Sequence, residues 1–387
     1  MYFVCTFCLC CEFCIFIVIK TNFLMRLPFS TNFHHHRFKL FSSFLTFFQP
    51  TPSSSSSSST WVNQIHMESP STIAAAVSPI SPSTRRRKRK IVAIMGPTGA
   101  GKSRLSIDLA TRFFDNSEII NSDKMQVYSG LDITTNKITM QERRGVPHHL
   151  LGAIDPRKSV FTPSDFRNVA AEYINQIRTR RGLPLVVGGS NSLIYSLVTK
   201  RYDPKSDVFN GPEPQPVSSD FRYECCFIWV DVSLPVLNQY LSKRVDEMLD
   251  SGMFEELAEF FRSDEHKRVN RCGLGQAIGI PEFETYFTNF PGLRRTEGSV
   301  FEEDVMGQEA YDEAVRRIKD NTCQLAKKQV SKILRLRDAG WELKRIDATE
   351  AFRAVMTADR GGARVAEIWE KQVVEPSMKI VKHFLEE

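Results

Sequence analysis

Residues 96–103 read GPTGAGKS and satisfy the spacing G-x-x-x-x-G-K-[ST] at every fixed position. Gly96, Gly99 and Gly101 let the backbone turn so that successive N–H groups of the run, through Pro97, Thr98 and Ala100, converge on one anion. A helix opening at Lys102 adds its N-terminal partial charge. Lys102 reaches an outer phosphate, and the Ser103 hydroxyl is placed to hold Mg²⁺. The apolar run before the loop and the helical pattern after it separate this from a chance match.

A second chemical group is expected where ligands of wound sheets lie, at the carboxyl ends of the strands. Nucleotide-hydrolysing chains of this architecture usually end a buried strand in a carboxylate that steadies Mg²⁺. Here the corresponding run ends VVGGSNS, without an acid, and the nearest strand-end carboxylate is Asp123 in NSDKMQVY. Asp123 should face the same cleft as Lys102. A lone Asp in a loop suits a turn former as well as a proton acceptor.

The elements that must position these groups follow from pattern. KIVAIMG (90–96) is a continuous apolar run of the kind found in strands covered on both faces. A helix is expected from Lys102 to about Phe114, with Leu105, Leu109 and Phe113 on one face. SEIIN (117–121) gives a second strand. TPSD (162–165) starts a helix with Thr162 as cap, Pro163 in the first turn and Asp165 closing a capping box. That helix runs to RTRRG, where Gly182 precedes a third strand, LPLVVGG, and YECCFIWVDV (223–232) gives a fourth. The remainder reads as mainly helical. The fold class is α/β, a parallel sheet wound by helices with a mainly helical C-terminal part. Three segments are expected: a leader at 1–89, a phosphate-loop domain with a helical insertion at 90–345, and a helical tail at 346–387.

The formal charge of +6 is unevenly placed. Residues 1–90 carry ten Lys/Arg against Glu12 and Glu68, which leaves 41 basic and 43 acidic residues in 91–387. A near-neutral body argues against a surface built to track a long nucleic acid. Met25 to Met67 contains no acid, many Ser and Phe, and a run of seven Ser, the composition of a transit peptide. Met25 or Met67 also fits as a start. The first twenty residues are apolar but interrupted by Glu12, short of the ~20 apolar residues of a span, so no membrane partner is expected. Cys5, Cys8, Cys10, Cys11 and Cys14 lack a second Cys/His pair at finger spacing, and Cys225, Cys226, Cys272 and Cys323 suit a reducing compartment. RRRKRK (85–90) reads as a nuclear signal or, preferably, as the solvated lead-in to the first strand.

GPTGAGKS, INSDKMQVYSGLDITTNKIT, RRGVPHHLLGAIDP, FTPSDFRNVAAEYI and LPLVVGGSNSLIYSL, in that order, resemble the isopentenyltransferases. The likeness continues through GQAIGIPEF (275–283) to NTCQLAKKQVSKILRL (321–336). It implies transfer of a dimethylallyl group from dimethylallyl diphosphate to the exocyclic amine of adenine. The loop's phosphate is then a leaving group rather than a nucleotide's. By this resemblance the fold is that of P-loop NTPases, Asp123 is the general base, Thr98 lies near the donor diphosphate, and Ser122 and Ser190 lie near the substrates, with Mg²⁺ as cofactor.

Two branches compete. SDKMQVYSGLDITTNK and VGGSNS resemble the plant adenylate branch, which makes cytokinin precursors from ATP, ADP or AMP, whereas tRNA dimethylallyltransferases tend to show SDS and GGTG. No cysteine follows Cys323 to build the zinc finger that eukaryotic tRNA members often carry. The transit-like leader suits a plastid, with the cytoplasm as alternative. A small-molecule kinase would share loop and sheet. One departure is Gly275-Gln276, where adenylate relatives usually have a basic pair. NGPEPQPVSSD (210–220) reads as a Pro-rich surface loop. Residues 314–337 read as an amphipathic helix with Val315, Ile318, Leu325, Ile333 and Leu336 inward and Arg316, Arg317, Lys319, Lys327, Lys328, Lys332, Arg335 and Arg337 on a basic face, some of them candidates for phosphate contact.

Overall fold

A strand can be apolar along its whole length only if both its faces are covered. Lys90–Met95 (β1) is buried at every position and lies inside a parallel sheet of a computed structural model. The structure describes residues 88–387 apart from 159, 211–214, 264, 270, 291–301 and 358–361. The leader at 1–89, all but its last two residues, lies outside the described residues, as do 211–214 of the Pro-rich loop.

The other strands are Ser117–Asn121 (β2), His148–His149 (β3), Leu183–Gly188 (β4), Glu224–Asp231 (β5) and Leu343–Asp347 (β6). They pair in the order β3-β2-β4-β1-β5-β6, every pair parallel. The helices are Lys102–Arg112 (α1), Pro163–Thr179 (α2), Asn191–Val198 (α3), Leu234–Asp250 (α4), Met253–Arg262 (α5), Glu265–Arg268 (α6), Ile280–Asn289 (α7) and Glu302–Asp338 (α8). After β6 come Thr349–Thr357 (α9), Gly362–Trp369 (α10) and Glu375–Glu386 (α11), the last two joined by a π-helical turn, Glu370–Val374. Among the described residues no helix is long and apolar enough to cross a membrane.

Alternation along each strand divides the core in two. Ile91, Ala93, Met95, Ile120, Val186 and Phe227 face one side, where α2, α3, α5, α7 and most of α8 cover them. Val92, Ile94, Ile119, Leu185, Ile228 and Val230 face the other, under α1, α4, α9, α10 and α11. Leu105 and Leu109 of α1 are fully buried there, each contributing about 1.5–3 kcal/mol. β1 thus sits centrally and delivers the phosphate-loop sequence at the carboxyl edge of the sheet.

Several expectations need correction. Phe113 caps the end of α1 and is 36% exposed, so the buried face stops at Leu109 and Ala110. The chain leaves α2 through Arg181, whose φ of 61° takes the left-handed position expected near Gly182. Strand β3 has only two residues and carries no pattern. Strand β6 reads LKRID, with Lys344 and Arg345 on an open sheet edge, a composition that hides a strand and discourages edge pairing. It runs across residue 345, and Ile346, Phe352, Trp369, Val373 and Val381 beyond it belong to the second core cluster. In α8 the inward stripe is Ala314, Ile318, Thr322, Ala326, Gln329, Ile333 and Leu336, while Leu325 is 38% exposed. The described end of the Pro-rich loop is pinned down, since Arg335 donates to the Gln215 carbonyl at 2.7 Å and Trp341 to that of Ser218 at 3.1 Å.

The α2 start is as its sequence requires: Thr162 Oγ1 accepts the Asp165 N–H, and Asp165 accepts the Thr162 N–H in return. We expect Thr162→Ala to lower unfolding free energy by about 1 kcal/mol in urea denaturation.

Candidate active site

The loop after β1 closes on itself. Gly101 caps α1 at φ 86°, and no side chain caps the helix, so its first-turn N–H groups remain open to an anion. Lys102 Nζ folds back to donate to the Pro97 carbonyl at 2.7 Å. Burial pulls its pKa down to about 8, Asp123 acting to raise it and Arg244 to lower it further. Two loop amides point elsewhere. Thr98 N–H donates to Gln329 Oε1 at 2.6 Å, and Ala100 N–H to the Pro97 carbonyl at 3.2 Å. Convergence on a phosphate therefore falls to the later part of the loop.

Across from the loop, β2 and β4 end side by side. A Cβ on Gly188 would collide with the Ser122 carbonyl, so only glycine lets the two strand ends approach. Ser122 itself is fully buried, its hydroxyl meets no partner among the described residues, and its carbonyl accepts the Ser190 N–H at 3.2 Å. Ser190 Oγ in turn accepts the Lys124 N–H at 3.0 Å. Asp123, half-buried between them, uses Oδ1 to accept the N–H groups of Met125 (2.9 Å) and Gln126 (3.3 Å). Oδ2 accepts no hydrogen bond from the described residues. The carboxylate is thus both a turn former and an oriented acceptor.

The turn has its own support. Gln126 Nε2 donates to the carbonyls of Thr135 (3.2 Å) and Asn136 (3.1 Å), and Glu256 of α5 accepts from the amides of Ile133 (3.0 Å) and Thr134 (2.7 Å).

Two participants were missed from sequence. Arg244 of α4 donates from Nη2 to Thr98 Oγ1 at 3.1 Å, while its Nε is sealed from solvent with no partner among the described residues. Burial lowers its pKa, and Tyr240, Asp123 and Glu247 oppose that shift. Gln329 of α8 is buried, with its carbonyl accepting from Asn191 Nδ2 at 3.0 Å. A signal existed for both. Arg244 continues the buried stripe of Leu237 and Leu241, and Gln329 falls between Ala326 and Ile333, so each is a polar residue on a helix face reserved for the core.

The basic face of α8 divides. Arg316 pairs with Glu313 and Asp320, Lys319 with Asp246, and Arg337 with Asp338. Lys332 differs: it lies over the Phe209 ring at 5.6 Å, and its pKa is lowered by burial, then by Lys124, with Lys328 adding to the effect against Asp207. Asp231 ends β5 beside β1, so Asp123 is not alone in ending a strand there, but Arg345 Nε holds Asp231 at 2.7 Å. Gln276, at the position of the expected basic pair, is exposed in a short 3₁₀ turn. Among the described residues no group of three or more His, Cys, Asp or Glu is placed to hold a metal. The exposed Ser103 hydroxyl, next to Lys102, is the loop's candidate metal ligand.

A family model described as IPP transferase matches residues 126–213 and 199–333. The adenylate isopentenyltransferase of Humulus lupulus is 56% identical over 300 residues, 76% of this chain and 90% of that one. Arabidopsis thaliana adenylate isopentenyltransferase 1, chloroplastic, is 54% identical over 302 residues, covering 78% and 83%. Among solved structures, a eukaryotic dimethylallyltransferase acting on tRNA superposes with a TM-score of 0.60 at 25% identity, over 77% of this chain and 80% of that one.

The depressed pKa of Lys102 has a measurable sign. Its ammonium is charged below about pH 8 and neutral above, so pyrophosphate affinity should fall as pH rises through about 8. Calorimetric titrations across that range should show the fall in the wild type and none in Lys102→Ala.

Proposed function

The chain belongs to the IPP transferase family, and on that premise we propose that it transfers a dimethylallyl group from dimethylallyl diphosphate to the exocyclic amine of adenine in ATP, ADP or AMP. The observation that carries this reading is that two cations are tied to one loop, Lys102 through the Pro97 carbonyl and Arg244 through Thr98 Oγ1, and that both feel the charge of one half-buried carboxylate, Asp123. The cations and the open N-terminus of α1 suit a diphosphate. A carboxylate with an unused oxygen suits a proton acceptor.

In the reaction the amine nitrogen forms a bond to the allylic carbon as the carbon–oxygen bond to diphosphate breaks. Asp123 Oδ2 takes the proton lost by the amine. Negative charge grows on the departing diphosphate, and Lys102, Arg244 and the α1 amides stabilise it more than they stabilise the bound donor. The Ser103 hydroxyl would hold Mg²⁺ beside the donor, and the ion would supply further neutralisation of that charge. Ser190 and the Asp123 turn fix the acceptor side, and holding both substrates in line can supply up to ~7–11 kcal/mol of the barrier reduction.

A free nucleotide is favoured over tRNA by the near-neutral charge of residues 91–387. A kinase reading requires transfer of the γ-phosphate of ATP, for which the site offers no distinct support. The acid-poor leader and the chloroplastic relative support plastid targeting.

Incubation of the full chain with dimethylallyl diphosphate, Mg²⁺ and each of AMP, ADP, ATP and unmodified tRNA, followed by mass measurement, tests the acceptor. We expect ADP or ATP to be prenylated at least as well as AMP and far better than tRNA, and better turnover on tRNA at matched concentration would move the chain to the other branch. Asp123→Asn should lower kcat by about 10²–10⁴ while donor affinity stays within a few-fold. Residues 25–90 fused to a fluorescent protein should reach plastids, and a diffuse signal would remove the targeting proposal.

A further inference from the structure

Gly101 stands at a left-handed φ of 86° with no side chain of its own to hold it, yet the amides that follow must stay within about 0.5 Å of one geometry to grip a phosphate. Something outside the loop has to supply a wall. Trp369 supplies it. A Cβ built on Gly101 would lie 2.6 Å from Cη2 of that indole and 3.1 Å from Cζ3, with Phe352 Cζ next at 3.7 Å. The indole is 3% exposed, and its other edge is anchored, Nε1 donating to Asp108 Oδ2 at 2.9 Å.

The grip extends along α1. Arg104 lies over the indole face at 4.5 Å, and Arg144 reaches Asp108 Oδ1 at 3.4 Å. One residue after the indole, Glu370 accepts two hydrogen bonds from Arg112, at 2.6 and 2.7 Å. Two adjacent residues therefore touch α1 at its cap, its middle and its last turn. Glu370 opens the π-helical turn, where one extra residue per turn shifts which side chains share a face. The family match ends at residue 333, well before this segment.

We propose that Trp369 is a positioning residue for the phosphate-binding loop: by closing over Gly101 while tied to Asp108, it sets where the first-turn amides and Lys102 meet the donor's diphosphate. This rests on the reading that the loop holds a diphosphate. Loss of the ring would leave a void beside a glycine free to relax into it, and the loop would pay with its alignment rather than the core with its fold.

The test uses the full chain with Mg²⁺ and inorganic pyrophosphate in calorimetry, together with steady-state kinetics. Trp369→Ala should weaken pyrophosphate binding and raise the donor KM by about tenfold, with acceptor KM within about twofold. Trp369→Phe loses the N–H and the outer ring edge that carries Cη2 and Cζ3 but still fills part of the space, and should recover only part of the affinity. Val381→Ala, in the same core but away from α1, serves as a control that loses stability without losing affinity. Wild-type affinity in Trp369→Ala, or an equal loss in Val381→Ala, overturns the proposal. If Trp369→Ala does not fold, the emission of Trp369, obtained by subtracting Trp369→Phe from wild type, should change on saturation with pyrophosphate, and no change overturns it. Failure of the wild type to bind pyrophosphate removes the diphosphate reading itself, whereas equal binding by wild type and Trp369→Ala removes only this one.

Discussion

Lys102 and Arg244 bring two positive charges to one short loop, and Asp123 is the carboxylate that opposes the burial shift on both. Like charges drawn together and away from water are costly, so the chain cannot leave this arrangement to side-chain preference. Arg244 is carried on α4, which Leu237 and Leu241 fix against the sheet, and Lys102 is tied back to its own loop through Pro97. The unpartnered Nε of Arg244 is the residue of that cost, a donor held ready. A polyanion bound there would relieve what the fold holds in tension.

The sheet makes such placement possible. Both faces of β1 are sealed, so the loop at its end starts from a rigid point, and β4 supplies a second fixed point through the close approach of Gly188 to Ser122. From there the Asp123 turn is determined by backbone hydrogen bonds rather than by long side chains. Ser190 joins the two strand ends through one hydroxyl and one amide. The turn that carries Asp123 is thereby tied to both strand ends, although it is built from a loop.

Much of this could be read from the chain because local pattern and final environment agree. β1, β2, β4 and β5 are apolar runs that ended up covered, and the Thr162 capping box is a short-range signal with a short-range cause. β3 and β6 escaped for opposite reasons: two residues are too few to show a period, and an edge strand carrying Lys344 and Arg345 shows the wrong one. The loop, Asp123 and Ser190 each stand in a short block, GPTGAGKS, NSDKMQVY and VVGGSNS, the first two legible from their own residue types and the third only through the resemblance. Arg244 and Gln329 come from helices 146 and 231 residues away from Thr98, and only tertiary packing tells that their faces turn toward it. Ser122, named from resemblance as lying near the substrates, has its side chain wholly buried, which no local pattern in NSDKMQVY announces.

The cover over one face of β1 and β5 is assembled from segments far apart in time as well as in sequence. α1 and α4 emerge earlier from a ribosome, but Phe352, Trp369, Val373, Val374 and Val381, which belong to the same core, are made about a hundred residues or more after α4. Until they arrive, a nascent chain carries an apolar sheet face that is only partly roofed and an edge at β5 still open for pairing. The same late segment touches the loop at Gly101. Synthesis therefore finishes the site and the core in one step, and a ribosome that stops before β6 releases a chain with an adhesive edge and an unbraced loop.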